Sequence, residues 1–165
     1  MRILGIDPSL KSTGFGLIEG NENNYTVLDF GCIKAAGKLP FHEKINAIRI
    51  NIEKIIHTFK PDEIAVENPF YAQNIKTALI LGQVRGAILV AVADNKLPLF
   101  EYSPLEIKKS VTGYGQADKN QVRSMVSTLL HIEKENLEVD ASDALATAFC
   151  HLNSRLFQKK IDTEG

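Results

Sequence analysis

The chain has 165 residues, 44% of them hydrophobic and 24% charged, with 19 Lys and Arg against 20 Asp and Glu and a net charge of −1. That length suits one domain with one core, and the composition excludes a disordered, collagen-like or disulfide-rich class. The balanced charge also excludes the global pull of a strongly basic nucleic-acid-binding domain, although Lys108, Lys109, Lys119 and Arg123 lie close enough in sequence to form a local basic patch.

In chain order, RILGIDPS reads as a short buried strand. TGFGLIEG and YTVLDFGCIKA follow, split by the polar turn GNENN, which predicts antiparallel pairing. Between Pro40 and Phe59 the isoleucines 45, 48, 52, 55 and 56 have the spacing of an amphipathic helix, and Pro61 ends it. IAVENP predicts another buried strand. Ile75–Ala93 predicts a long helix, apolar nearly all round in its later half and therefore well buried. LPLFEYS is a fifth strand. SPLEIKKSV and KNQVRSMVSTLL predict short helices around the glycine-bearing loop TGYGQAD, and a last helix is expected from about Asp140 to Phe157.

This order predicts an α/β protein with a five-stranded mixed sheet flanked by helices, an antiparallel meander extended by parallel strands. One domain is expected over residues 1–157, with a polar tail over 158–165. The opening MRILGIDPSL lacks the pattern of a signal peptide, and the run AILVAVA (87–93) is too short to cross a bilayer. Cys32 and Cys150 have no metal-binding or disulfide spacing. A cytoplasmic protein without a membrane partner is the expectation.

Four acids stand out. Asp7 and Glu67 each close an apolar strand, where a carboxylate is costly to bury without a cation or donors. Either could instead start a strand-end turn or lie on the surface. In VDASDALATAF, Asp140 and Asp143 sit three apart, on one helix face. One of them could serve as a helix cap. Ala144 and Ala148 share the face of Asp140 and would let it lie close to a sheet.

If the first and fourth strands are neighbours with the last helix across them, the four carboxylates meet. They cannot share a small site while ionised unless cations neutralise them. Oxygen-only ligands suit Mg²⁺ or Mn²⁺, and two such ions can activate a water and stabilise the leaving oxygen of a phosphodiester.

The segments LGIDPSLKSTGFG, AVENPFYAQNIKTALILGQVRG, FEYSPLEIKKSVTGYGQADKNQVRSMV and DASDALATA together resemble the RuvC family of bacterial Holliday-junction resolvases, over residues 2 to about 152. The resemblance implies a ribonuclease-H-like fold, a homodimer and paired Mg²⁺-dependent nicking of a four-way DNA junction. Two ions per site are implied, with Mn²⁺ as a substitute. The family's acidic ligands fall on Asp7, Glu67, Asp140 and Asp143, all present as carboxylates. Lys108 and Lys119 match basic residues near the scissile strand, Lys119 with a catalytic role.

Phe70 matches an aromatic that meets unpaired bases at the crossover, and Tyr71 could take that role instead. RuvA and RuvB are the implied protein partners. Gly82, Gln83 and Arg85 belong to the matched LGQVRG segment, whose glycines are expected to serve close helix packing. The loop NPFYAQN departs from the family pattern, so the resemblance implies no particular cutting sequence.

Three other readings compete. GIDPSLKSTGFG imitates the first phosphate loop of ATP-using phosphotransferases of the actin and sugar-kinase type. Those need a second similar domain, and 165 residues without an internal repeat leave no room for it. A non-catalytic junction-binding module sits badly with four intact carboxylates. Another nuclease of the same fold, acting on RNA or other branched DNA, is the nearest alternative.

Overall fold

The computed structural model describes residues 1–21, 24–68 and 74–164. Five strands form one mixed sheet in the order β3-β2-β1-β4-β5: β1 Arg2–Asp7, β2 Thr13–Gly20, β3 Tyr25–Ile33, β4 Glu63–Glu67 and β5 Leu99–Tyr102. β1, β2 and β3 pair antiparallel, as the polar turn predicted, whereas β1–β4 and β4–β5 are parallel and joined through helices. This is the predicted α/β architecture, a ribonuclease-H-like fold.

Strand alternation divides the sheet into two working faces. Leu4, Ile6, Leu17, Ile64 and Val66 point to a layer made by α1 (Phe41–Phe59) and α2 (Ile75–Asp94). Ile3, Ile18 and Ala65 point to the opposite layer, made by α3 (Pro104–Thr112), α4 (Lys119–Leu129) and α5 (Val139–Glu164). By the same parity, Gly5 and Asp7 on β1 and Glu63 and Glu67 on β4 face α5.

α5 lies almost directly on the backbone of β1 and β2. A Cβ added at Gly5 would stand 2.1 Å from the Ala144 carbonyl oxygen, and one at Gly14 would stand 1.9 Å from that of Asp140. Ala144 and Ala148 are therefore small for the reason their spacing suggested. The other end of α5 is anchored by a buried network. His151 is fully buried; its Nε2–H donates to Glu63 Oε2 at 2.7 Å and its Nδ1 accepts from the Tyr102 hydroxyl at 2.7 Å. Arg155 completes it, donating to Glu63 Oε1 at 2.8 Å. Eight residues of helix rise about 12 Å and four of strand about 13 Å. A helix pinned with His151 over Glu63 thus brings Asp143 to the level of Glu67.

Several expectations need correction. α5 does not stop at Phe157 but continues to Glu164. α2 is not well buried: only Val84, Ile88, Ala91 and Val92 are, while Ile75 is 81% exposed, Leu79 64% and Val90 51%. A helix packed on one neighbour, α1, and one sheet face has only one side to bury, however apolar the rest is. α2 is also long and apolar enough to cross a bilayer by length and composition, which the short run 87–93 did not suggest, although its buried stripe is part of the core shared with α1, β1 and β4. Gly82 and Gly86 have nothing within 4 Å of an added Cβ, so they serve no close packing within the described chain.

Candidate active site

Asp7 and Glu67 end adjacent parallel strands, one step beyond the Ile6–Val66 pair, and their carboxyls are close enough to couple electrostatically. Across from them α5 supplies Asp143 and, one turn earlier, Asp140. α5 begins at Val139, so Asp140 lies inside the first turn and is not the cap. There it gains from the positive end of the helix dipole. α4 contributes its first residue, Lys119, set by a capping box in which Asp118 and Gln121 satisfy each other's backbone. Its Nζ donates to Asp143 Oδ2 at 3.0 Å. α3, capped in the same way by Ser103 and Glu106, brings Lys108.

The electrostatics are those of an anionic site short of positive charge. Burial, then repulsion from Glu67 and Asp143, pushes the Asp7 carboxyl up to about 9 from an ordinary 3.8. Burial also raises Glu67, against its hydrogen bond from Asp7 and the pull of Lys119 and Lys108. Asp143 is raised by burial too, with the Lys119 ammonium holding it back. Burial lowers Lys119, but Asp143, Asp7 and Glu67 outweigh it and raise that ammonium overall. Asp140 stands to one side, within electrostatic reach of Asp143 and of Cys32 and Lys34 on the β3 side.

Among the described residues, no three His, Cys, Asp or Glu are drawn together tightly enough to cage one ion. The donor set nevertheless fits hard divalent cations. It is all carboxylate, it has no thiolate or imidazole among its members, and its charge is only partly met by lysine. A cavity of about 60 Å³ lies between Glu67, Asp143, Lys108 and Lys119 over the apolar Ile107 and Val122. It holds water-sized ligands, and a phosphodiester must approach from outside. A groove of about 590 Å³ lies at the 112–118 turn and α4, but it lacks paired carboxylates, so size does not mark the chemistry.

The family described as crossover junction endodeoxyribonuclease RuvC matches residues 3–151. The chain belongs to the RuvC family. It is 42% identical to the RuvC of Halothermothrix orenii over all of both chains, and 41% identical to that of Alkaliphilus oremlandii over 95% of this chain and 96% of the relative. Among solved structures, a T. thermophilus RuvC in complex with a Holliday junction substrate superposes with a TM-score of 0.89 at 28% identity, covering 96% of each chain. RuvC proteins are metal-dependent nucleases, and the phosphotransferase reading falls with this membership.

Asp7, Glu67, Asp143, Lys108 and Lys119 therefore lie around one cleft, and Asp140 borders it. Phe70 and the alternative Tyr71 lie outside the described residues. One neighbouring cluster escaped the sequence: Asn68, Arg85 and Glu101 are bonded to each other directly beside Glu67. They are 16 to 33 residues apart, and only the parallel β4–β5 pairing with α2 above it brings them together.

Proposed function

We propose that this RuvC protein resolves Holliday junctions by paired hydrolytic nicks in symmetrically related strands, with Asp7, Glu67, Asp140 and Asp143 as the ligands of two Mg²⁺ ions, or of Mn²⁺. The observation that carries the site assignment is the placement of the Asp7 carboxyl: it is buried beside Glu67 and faces Asp143, which pushes its proton affinity up to about 9, a strain that a bound cation would relieve. Divalent cations held there supply an activated water and stabilise the departing oxygen.

The chain's own residues do the rest. Lys119 is bound to Asp143 yet its side chain is 69% exposed, so it can reach a phosphate oxygen and offset the charge that grows on it during cutting. Lys108, at the other wall of the cleft, positions the strand through its phosphate. The layer of α5 on the sheet keeps the acids oriented before DNA arrives. Phe70 follows Glu67 by three residues and would stack on an unpaired base at the crossover, a contact of about 1–3 kcal/mol.

The exposed face of α2 supports a homodimer. Ile75, Leu79, Gly82, Gly86, Leu89 and Val90 recur at helical spacing along one stripe, with the two glycines allowing a second helix to approach closely. Two copies related by a two-fold axis would give one active site per protomer, matching a nearly symmetric four-way junction. Cytoplasmic work alongside the branch-migration proteins RuvA and RuvB is the setting this membership implies.

The test is an end-labelled mobile four-way junction in Mg²⁺ beside linear duplex and an RNA–DNA hybrid. Symmetric nicks in the junction alone are expected. Cutting of the hybrid, or of every substrate, would move the activity to a different nuclease of this fold.

A further inference from the structure

The Asn68, Arg85 and Glu101 cluster has no part in the scheme above, yet it is better built than a surface ion pair. The Arg85 side chain is only 16% exposed. One of its terminal nitrogens donates to Asn68 Oδ1 and the other to Glu101 Oε1, while Asn68 Nδ2 donates to Glu101 Oε2 at 3.3 Å. Both ends of the Asn68 amide are therefore specified, and the triangle is closed. The backbone of Asn68 is held as well, its N–H donating to the Tyr102 carbonyl at 2.8 Å. Asn68 immediately follows Glu67, and Glu67 itself pairs with Tyr102.

We propose that Arg85 is a positioning residue for hydrolysis: by bridging Asn68 and Glu101 it locks the end of β4 and aims the Glu67 carboxylate at the cation site. The guanidinium suits this role because its rigid fork bonds two acceptors at a set separation, which a lysine ammonium cannot reproduce. The arrangement hands the position of α2 to the active site, since Arg85 sits on that helix. Partners that orient ligands at one remove commonly change metal affinity by about 10–100-fold when lost.

The proposal rests on the reading that Glu67 is a metal ligand, and the experiment separates the two. Mn²⁺ binding is measured by the electron paramagnetic resonance of free Mn²⁺ for the wild type, Arg85→Lys, Arg85→Gln and Glu67→Gln. Junction affinity in EDTA, the Mg²⁺ dependence of single-turnover cutting, and thermal unfolding accompany it. Both Arg85 variants should need about 10-fold more Mn²⁺ for half occupancy and correspondingly more Mg²⁺ for half-maximal cutting. Junction affinity in EDTA should stay unchanged, and cutting should largely recover at saturating Mg²⁺.

Unaltered Mn²⁺ binding in a folded Arg85 variant overturns the proposal, whatever happens to the melting temperature. So does a loss of junction affinity without a change in metal dependence, which would make Arg85 a DNA contact. If Arg85→Gln fails to fold, Arg85→Lys, which keeps the charge that pairs with Glu101, decides the matter. Unchanged Mn²⁺ binding in Glu67→Gln would show that the ligand assignment itself is wrong, and the proposal would fall with it.

Discussion

The two faces of the sheet are built by different rules. On the α1 and α2 side, branched aliphatics such as Ile48, Ile52, Ile64 and Ile88 fill the space between layers. On the α5 side, glycines and alanines bring helix and strand backbones into contact at Gly5 and Gly14, Leu145 and Leu152 fill the space beside them, and long polar groups are bonded in the His151–Glu63–Arg155 network. The first face tolerates small repacking because side chains can adjust. At Gly5 and Gly14 the second has no side chain to adjust, so the approach of α5, which carries Asp140 and Asp143, to β1 and β2 is set by backbone contact. Both faces bury apolar side chains, but the acids are placed by the face on which backbones touch.

The largest effect should come from breaking the tight face. Gly5→Val would drive a side chain into the Ala144 carbonyl and cost more than about 4 kcal/mol, enough to abolish folding in many domains. Ile52→Val on the loose face should cost about 1 kcal/mol by denaturant titration. Similar losses at both sites would show that the contrast between the faces is wrong.

Asp7→Asn sharpens the same point by separating chemistry from stability. Cutting should fall at least about 100-fold while junction binding persists, because an amide cannot replace the anionic ligand. In EDTA the variant should melt higher than the wild type. The sign follows from the raised carboxyl: without a cation, folded Asp7 carries a charging penalty that grows as the pH rises from 3.8, where the unfolded carboxyl ionises, toward 9. The variant removes that slope, and divalent cation should remove it in the wild type. A variant no more stable than the wild type in EDTA at neutral pH would mean that the carboxylates do not strain the fold.

Leu79→Glu tests what the loose face leaves uncovered. Leu79 is 64% exposed, so the monomer should keep its melting temperature while sedimentation shows the loss of a dimer and paired nicks become single. An unchanged dimer would place the two-fold contact elsewhere.

A smaller effect concerns the anchor of α5. Burial lowers the affinity of His151 for a proton below the ordinary 6.5, against its hydrogen bond to Glu63. Its contribution to stability is thus complete above pH 6.5 and is lost as the pH falls below that value. His151→Gln should flatten the acid limb of the stability curve between pH 6.5 and 5. The smallest change is Ser142→Ala. The Ser142 hydroxyl is buried with no partner in the structure, so the variant should lie within about 0.5 kcal/mol of the wild type, or be slightly more stable.

Much of this protein is legible in its residues because the relevant physics is local. Alternation along RILGID and EIAVE puts each terminal acid on the same side as a small residue two places earlier, Gly5 or Ala65. The spacing of Asp140, Ala144 and Ala148 marks a helix face that must lie close to something flat. SPLEIKKSV and KNQVRSMVSTLL read as the two helices that deliver Lys108 and Lys119, and the structure adds the capping boxes that start them. The order of elements predicts a parallel crossover and allows β1 to lie beside β4, where the sheet places it.

Other features were decided only by tertiary structure. Apolar composition cannot say how many sides of α2 will find a neighbour, so its exposed stripe read as core until the packing was known. The triangle of Asn68, Arg85 and Glu101 depends on strand pairing and helix placement across as many as 33 residues of chain, and no local pattern encodes it. The high proton affinity of Asp7 has the same origin. A carboxylate's ordinary behaviour belongs to the residue, but its burial beside Glu67 and Asp143 belongs to the fold.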